Sequence, residues 1–523
     1  MSLLPTFFPM SSKFYPHEIA NSMLIESTVS DCFLYRTPAA NGNLKKWTLS
    51  FWVKITGSPD DYLPVLGCAA GSSDSTYGQI ILSSATSGLA YKFCVDGYYI
   101  SFRRPSALFR DPSGWYHFTV VWDTAQAVTE DRIRVYINGI KVTAWATNNT
   151  PAQNADSGIN RNSQHRIGAW PSGVQHRTRG YLADVHFLDG IAAEPSEFGK
   201  LKKGVWIPKA YTGSYGGANG FYLKFLNSGS LGADSSGNGN TFTATGGPQQ
   251  TADTPTNNHC VMSGAIPGTK VLRGGLRTQM DGSNTVPAVG TFFVDITDPK
   301  GWAWKCVPAA IPWGVYHGII RRDQVPNINP SSGGACVGQS AQLSNGEVYY
   351  NGTYLGNFGG TMGPEVGSVM EYLMRSGCLY IRKNGVWVNG GNPVVTGLTG
   401  LWGPWCNAPA GYTHLTDWDF GQLGYTPPGE FKTLCARNLT ETILTSGVFI
   451  GNASTDGPVV FTNGPLDTLT INGNAVTWGT HAIRLANGFK LITSSSSYNT
   501  SGTNNWTATT SQKPFKFANA QIN

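Results

Sequence analysis

Hydrophobic and polar residues alternate with a period of two along much of this chain, in runs of only five to ten residues. In "KWTLSFWVKI", Trp47, Leu49, Phe51 and Val53 fall on one side and Thr48, Ser50 and Lys54 on the other, with Trp52 the one large exception. That is the pattern of a half-buried strand. "GWYHFTVVWDT" from Gly114 and "RIRVYINGIKVT" from Arg132 repeat it, and Asn138-Gly139 marks a tight hairpin turn inside the second. "HRIGAW" and "GYLADVHFLDG" follow at the spacing of a sandwich. No long stretch carries helical periodicity. The best helical segment, "PSEFGKLKKG" from Pro195, covers about two turns. The pattern predicts an all-β chain.

Beyond a Pro/Thr/Asn-rich, aperiodic stretch at residues 247–259, which reads as a linker, a second series of strands begins. It runs through "GTFFVDITDPKGWAW", "IPWGVYHGIIRR", "GEVYYNGTYLGNFGG", "GPEVGSVMEYLMRSGCLYIRKNGVWV" and "TDWDFGQLGYTPPGEFKTL". Residues 439–523 are rich in Ser, Thr, Asn and Gly but keep isolated strands, including a hairpin at Asn472-Gly473. Their aromatic and β-branched residues predict a small β domain rather than a disordered tail.

Composition sharpens this reading. The 523 residues suffice for two to four domains, and charged residues make only 13%, about half the ~25% of ordinary soluble domains. With 64 Gly and 12% aromatic residues, the chain has the turn-rich, aromatic-rich make-up of many short strands. The formal net charge of +6 is spread over local clusters, "FRRPSALFR", "QHRTRG" and "IIRRDQ", read as solvated loop arginines. A nucleic-acid binder would carry a denser stripe. Nine scattered cysteines, without a CxxC pair or zinc spacing, predict free thiols and assembly in a reducing cytoplasm. No apolar run of about 18 residues occurs, so no membrane span is expected, and the opening "MSLLPTFFPMSSKFYP" lacks the basic start of a signal peptide.

The motifs "WTLSFWVK", "WYHFTVVWD", "RVYINGIKV", "RIGAW" and "GYLADVHFLDG" together resemble the laminin-G-like group of concanavalin-A-like jelly rolls, over residues 21–246. The continuation "FLDGIAAEPSEFG" and "GVWIPKAYTGSYGGANGFYLKF" resembles the versions found in bacteriophage structural proteins. Residues 260–438 resemble the SPRY module, another sandwich of the same kind, on "VMEYLMRSGCLYIRKNGVWV" read as two antiparallel strands ending at an Asn-Gly turn. The resemblances imply two jelly-roll sandwiches in tandem, after an arm of residues 1–20 and before the small β domain.

The laminin-G resemblance gives "LGADSSGNGNTFTATG" a meaning. In such modules a D-S-S-G-N-G-N segment contributes oxygens to calcium, which implies a site of Asp234, Asn238 and Asn240, with Asp184 as a second carboxylate. The same residues suit an Asx/Gly turn that holds itself by side-chain-to-backbone bonds. On either reading the loop is structured and lies within the first domain.

Catalytic patterns are not visible. The E-x-D-x-x-E string of jelly-roll glucanases is missing, and the pairs Asp417/Asp419 and Asp184/Asp189 read as strand-end residues, capping or solvated. No nucleophile elbow and no P-loop occurs. Aromatic residues in loop settings are the natural stacking platforms for sugars, and Trp170, Trp313, Trp402, Trp405 and Trp506 stand beside Gly, Pro or Asn. The expectation is a bacteriophage tail fibre or receptor-binding protein that engages a host-surface glycan without cleaving it. Such a protein would be a homo-oligomer, by analogy a trimer, in a virion assembled in the host cytoplasm. Phe7, Phe8, Phe14 and Tyr15 of the arm would dock on another virion protein. A capsid decoration or head fibre is the alternative, and a tailspike depolymerase with carboxylates meeting between chains is the second.

Overall fold

The computed structural model describes residues 14–439 apart from 27–31, 57–62, 69–77, 85–90, 97–101, 110, 171–178, 203, 264–268, 282–287, 311–315, 328–339, 345, 359–363 and 408–412. Beyond 439 it describes the strand residues 459–463, 470–471, 474–475, 481–486, 488–493 and 517–522. The chain is all-β, and its main body forms two compact units that meet in sequence at Thr256–Asn257.

In the first unit two antiparallel sheets face each other. One runs, in spatial order, Ile140–Lys141, Ile133–Ile137, Trp115–Asp123, Lys46–Lys54, Arg179–Asp189, Ser22–Glu26 and Gln249–Thr251. The other runs Trp145–Asn149, Phe102–Pro105, Tyr91–Asp96, Gly78–Ser84, Leu63–Cys68, His165–Ile167, Phe33–Arg36 and Thr243–Thr245. The register pairs Phe51 with Phe118 and Trp47 with Trp122, so the inward residues of adjacent strands stack, with ring centroids 5.5 and 5.8 Å apart. They close on Leu34, Val65, Ile80 and Leu82 of the facing sheet. Each such side chain contributes about 1.5–3 kcal/mol by leaving water. The turn at Asn138-Gly139 forms as expected, with φ of 47° and 80°, the paired positive values of the tight hairpin.

Four expectations change. The strand Lys46–Lys54 is buried on both faces, not one, because the chain at Ile191–Ala193, Trp206 hydrogen-bonded to His117, and Asp253 lie on its outer side. There Thr48 Oγ1 donates to the Ile191 carbonyl at 2.8 Å and accepts from the Ala193 N–H at 2.9 Å. The segment from Pro195 makes one 3-10 turn, Pro195–Glu197, and then a strand, Gly199–Lys202, that pairs with Val205–Pro208. A single turn cannot compete with a strand that has a partner waiting.

The arm's Phe14 and Tyr15 do not wait for another protein. They are buried against their own sandwich, with Lys202 Nζ donating to the Phe14 carbonyl at 2.6 Å and lying 4.9 Å from its ring centroid. Phe7 and Phe8 lie outside the described residues. Finally, most of the expected linker belongs to the first sandwich: Gln249–Thr251 pairs with Ser22–Glu26, and Asp253, Thr254 and Thr256 are buried. Its polar residues satisfy buried partners, as when Thr256 Oγ1 accepts the Ile19 N–H and donates to the Ile19 carbonyl, both at 3.0 Å.

The second unit repeats the architecture. One sheet runs Met262–Ser263, Ala288–Gly290, Leu401–Asn407, Tyr316–Arg321, Ser340–Ser344, Glu347–Tyr350 and Thr353–Asn357. The other runs Thr269–Leu272, Arg277–Asp281, Thr413–Asp419, Trp302–Ala310, Met370–Arg375, Cys378–Lys383 and Val386–Trp387. The expected strand pair and Asn-Gly turn are both present. Met370–Arg375 pairs with Cys378–Lys383, and Asn384 and Gly385, at φ 48° and 81°, turn the chain into Val386–Trp387. In the C-terminal segment Thr470–Ile471 pairs with Asn474–Ala475, the hairpin expected there, and His481–Ala486 pairs with Gly488–Thr493. Cys32, Cys68, Cys260, Cys306, Cys378, Cys406 and Cys435 are free thiols. Among the described residues no helix is long and apolar enough to cross a membrane.

Candidate functional site

The first unit concentrates its polar chemistry on the covered face of the sheet that holds Lys46–Lys54 and Arg179–Asp189. Asp184 sits at a bulge in Arg179–Asp189, where the register shifts between Ala183 and His186, with φ 52°. The bulge turns its carboxylate onto the Tyr222 hydroxyl, which donates to Oδ1, and to within 3.3 Å of His186 Nε2 and 3.8 Å of His17 Nε2. Burial alone would raise this carboxyl, but His186, the hydrogen bond from Tyr222 and the nearby His17 hold it well below the usual range.

Nearby, Trp206 Nε1 donates to His117 Nδ1 at 3.0 Å, which leaves His117 Nε2 as the protonated nitrogen facing Ser50 Oγ at 2.9 Å. In that tautomer His117 donates to Ser50 and cannot take its proton. Burial lowers His117 to about 3. Asp189 is equally committed: Oδ1 accepts from the Asn43 N–H at 2.7 Å and Asn160 Nδ2 at 2.6 Å, and Oδ2 from the Asn219 N–H at 3.2 Å. Both carboxylates thus cap and join strands while buried, rather than facing solvent.

The loop of Asp234, Asn238 and Asn240 folds back on residues 217–222. Asp234 Oδ1 accepts the N–H groups of Tyr222 (2.9 Å) and Ser236 (2.8 Å), and Oδ2 accepts the Ser236 hydroxyl (2.8 Å) and the Asn240 N–H (2.7 Å). Asn238 Nδ2 donates to the Gly220 carbonyl at 3.0 Å, and Asn240 Nδ2 to the Ala218 and Gly220 carbonyls, both at 2.7 Å. Arg36 donates to Asn240 Oδ1 and carries its charge beside Asp234. Asp184 meets this group only through Tyr222, whose hydroxyl it accepts while Asp234 accepts the same residue's N–H.

Calcium requires six to eight oxygens with free lone pairs turned on one point. A single carboxylate already accepting four hydrogen bonds, with a guanidinium beside it, does not fit that requirement. Among the described residues no group of three or more His, Cys, Asp or Glu is placed to hold a metal ion. The expected result is a thermal midpoint unchanged by EDTA. Asp234→Ala should instead destabilise the first unit by roughly 2 kcal/mol through its lost charged hydrogen bonds. A calcium-dependent midpoint would show an ion in the loop.

The tryptophans chosen as loop residues divide. Trp402 and Trp405 lie in the strand Leu401–Asn407 and are fully buried: Trp402 Nε1 donates to the Thr399 carbonyl at 2.9 Å, and Trp405 packs with Val289, Phe293 and Ile320. They build the second sandwich and present no face to a ligand. Trp170 is half-buried beyond His165–Ile167, and its carbonyl accepts from Arg166 at 3.2 Å. Trp313 and Trp506 lie outside the described residues. Two arginines read as solvated loop residues are likewise taken up, while residues 175–178 of the "QHRTRG" cluster lie outside the described residues. Arg103 is buried with Glu130, Asn148 and the ring of Trp145, and Arg321 grips Asp323 with two bonds of 2.6 Å.

An open aromatic surface exists elsewhere, at the Val386–Trp387 edge of the second unit. Period two sends Leu379, Ile381 and Lys383 inward and Tyr380 and Arg382 outward. The register sets Trp387 opposite Arg382 on the same face, so this short strand adds its ring to theirs. Trp387 is 36% exposed and meets Tyr380 edge-on with centroids 6.2 Å apart, while Arg382 lies 5.2 Å from its centroid. Arg375, exposed, lies between the rings of Tyr380 (5.5 Å) and Phe431 (5.0 Å). Behind this run Glu371 accepts from the Tyr425 hydroxyl at 3.0 Å and pairs with Arg382 at 3.3 Å. Asp417 and Asp419 share the outer face of Thr413–Asp419. Asp417 is held by Arg277 with two bonds of 2.6 Å, and Asp419 is buried, accepting the N–H groups of Gly421, Leu423 and Tyr425. The face can stack a flat apolar surface and donate hydrogen bonds around it.

Residues 35–196 match the family described as the concanavalin A-like lectin/glucanases superfamily, in its laminin-G form. No curated protein matches the sequence significantly. Among solved structures, domains LG4-5 of the mouse laminin alpha1 chain are 9% identical, with 80% of this chain and 88% of that one covered and a TM-score of 0.27. A putative carbohydrate binding protein from Bacteroides ovatus is 14% identical, covering 45% and 61%, with a TM-score of 0.30. A tailspike protein from a bacteriophage of Escherichia coli O157:H7 is 13% identical, covering 36% and 28%, with a TM-score of 0.23. The first unit, over the matched residues, is therefore a concanavalin A-like sandwich of the laminin-G type.

Proposed function

We propose that this chain is a glycan-binding adhesion protein of a bacteriophage particle, of tail-fibre type, that holds envelope polysaccharide without cleaving it. The observation that carries the reading is the exposed Trp387 beside the half-buried Tyr380, flanked by Arg382 and Arg375 on an otherwise satisfied sheet face. Aromatic rings in the open stack the C–H faces of sugars, and neighbouring donors read the hydroxyls. The match of residues 35–196 to a lectin/glucanase superfamily supports a carbohydrate ligand, and the resemblance of "FLDGIAAEPSEFG" and its continuation to phage structural proteins supports the particle. Absence of cleavage is proposed because the described carboxylate pairs are committed to structural hydrogen bonds.

One shallow site of this kind binds weakly, with a Kd of about millimolar to micromolar. Adhesion then rests on several linked copies, which argues for a homo-oligomer. The test is pull-down of the full chain on bacterial envelope polysaccharides with product size scored in parallel. Retention without shortening is expected, and Trp387→Ala should weaken it at least ten-fold while leaving the melting midpoint in place. Shortened chains would make the protein an enzyme. Equal retention of Trp387→Ala would remove this face as the site.

A further inference from the structure

Charges on the outer face of the Trp302–Ala310 sheet are paired almost throughout. Arg277 meets Asp417 at 2.6 Å, Lys305 meets Asp419 at 3.6 Å, and Arg382 meets Glu371 at 3.3 Å. Lys432 pairs with Asp298. Arg375 is the exception. No carboxylate lies within ion-pair distance of it among the described residues, and its guanidinium is held by ring contacts alone, between Tyr380 and Phe431. Contact with two rings restricts a guanidinium while leaving N–H groups of this exposed residue to solvent, and its planar fork suits two-bond recognition of a carboxylate. A side chain so held has already lost much of its rotational freedom, so a ligand that uses it loses less on binding.

We infer that the polysaccharide bound on this face is acidic, and that Arg375 reads the carboxylate of a uronic or sialic type sugar. The inference rests on the reading of the Trp387 face as the glycan site and adds the ligand's class. Tyr380 is common to both contacts, lying beside Trp387 on one side and Arg375 on the other. A sugar ring against Trp387 and Tyr380 therefore places a substituent of that ring, or of its neighbour, toward Arg375. On the paired strands of this face the acidic residue, Glu371, is covered by Arg382 and Tyr425, so its charge does not oppose an incoming carboxylate, and the exposed Glu430 beside Phe431 makes no ion pair with Arg375. A neutral glycan would use the rings and leave the one unpaired cation of the run idle.

The experiment uses the full chain and four acidic polymers, polymannuronate, polygalacturonate, hyaluronan and polysialic acid, each paired with its carboxyl-reduced form. Dextran and mannan serve as neutral probes. Expected is binding of at least one acidic polymer that weakens roughly 10- to 100-fold on carboxyl reduction. The same loss should follow from Arg375→Gln, with a smaller one from Arg375→Lys, which keeps the charge but not the planar fork. Binding should also fall with added salt, as for any exposed charge pair. Trp387→Ala should reduce binding of acidic and reduced forms alike. If the reduced or neutral polymers bind as tightly as the acidic ones, and Arg375→Gln changes nothing, the acidic inference fails while the glycan face stands. If no polymer binds in a Trp387-dependent way, both fail.

Discussion

Asp253→Ala should lower the stability of the first sandwich by about 3–5 kcal/mol, the cost of breaking a buried ion pair by removing one of its members. Lys54 and Asp253 are both wholly inaccessible to solvent, with Nζ and Oδ2 2.7 Å apart. Trp115 Nε1 donates to the other carboxylate oxygen at 3.0 Å, and the ammonium lies 5.9 Å from the Tyr181 ring centroid. Removing the carboxylate takes from Lys54 its 2.7 Å ion-pair partner and from the Trp115 indole N–H its acceptor. For a domain of this size the loss corresponds to a fall in Tm of roughly 10 °C or more. Lys54→Met alone should be comparably harmful, because it removes the cation that offsets a wholly buried carboxylate. The double variant Lys54→Met/Asp253→Leu should recover most of the loss, since a buried pair replaced by apolar side chains is often neutral. Additive losses in the double variant, measured by urea titration, would show that the two groups do not act as a pair.

That pair also marks the limit of what the sequence makes legible. The strands around Trp47, Phe118 and Val135 were readable because period-two alternation is written locally, and the Asn-Gly steps carry their own turn chemistry. What covers a strand is not local. Lys54 reads as the polar side of a half-buried strand, and its partner lies 199 residues on, in a stretch that reads as linker. The same applies to Ser50, His117 and Trp206, which meet only because residues 191–223 fold over the sheet.

Trp402 and Trp405 show the opposite failure. Gly and Pro beside them signal a loop, yet Gly403 is there because a side chain would strike the Phe292 carbonyl, 2.5 Å from where a Cβ would stand. Trp387 could have been found. Outward placement of Tyr380 and Arg382 follows from strict alternation in "LYIRK", and the Asn384-Gly385 turn then sets Trp387 beside them. The aromatic run is a property of register, visible only once both strands are paired.

Both units should lose stability steeply on acidification, between about pH 6.5 and pH 4, through histidines buried in their neutral form. Burial lowers His117 to about 3 and His165 to about 4 in the first unit, and His414 to about 3 in the second. His317 is pushed in the same direction by burial and by the adjacent His414. The packing agrees with neutrality. The single hydroxyl proton of Thr416 serves His414 Nε2 at 2.6 Å and His317 Nε2 at 3.1 Å, so one imidazole accepts and the other donates. His165 Nε2 accepts the Asn160 N–H at 3.0 Å. The native pKa values lie below the unfolded value of ~6.5, so below that pH the unfolded chain binds more protons and the native state is disfavoured. The stabilisation is complete above pH ~6.5 and is lost as pH falls toward the native values. Each histidine contributes up to ~1.4 kcal/mol per pH unit. Two in one unit therefore remove roughly 5 kcal/mol between pH 7.5 and 4.5, a large part of a typical domain's stability. In the first unit Asp184 acts in the same sense at lower pH, since its carboxyl is held below the usual range and its contribution is lost as it protonates. Urea midpoints measured at half-unit intervals of pH should fall accordingly. His117→Gln, which can still accept from Trp206 and donate to Ser50, should flatten the slope of the first unit by about one proton near pH 5. Parallel slopes for the variant and the parent would mean that His117 is charged in the folded protein, and the hydrogen bond from Trp206 would then have to be redrawn.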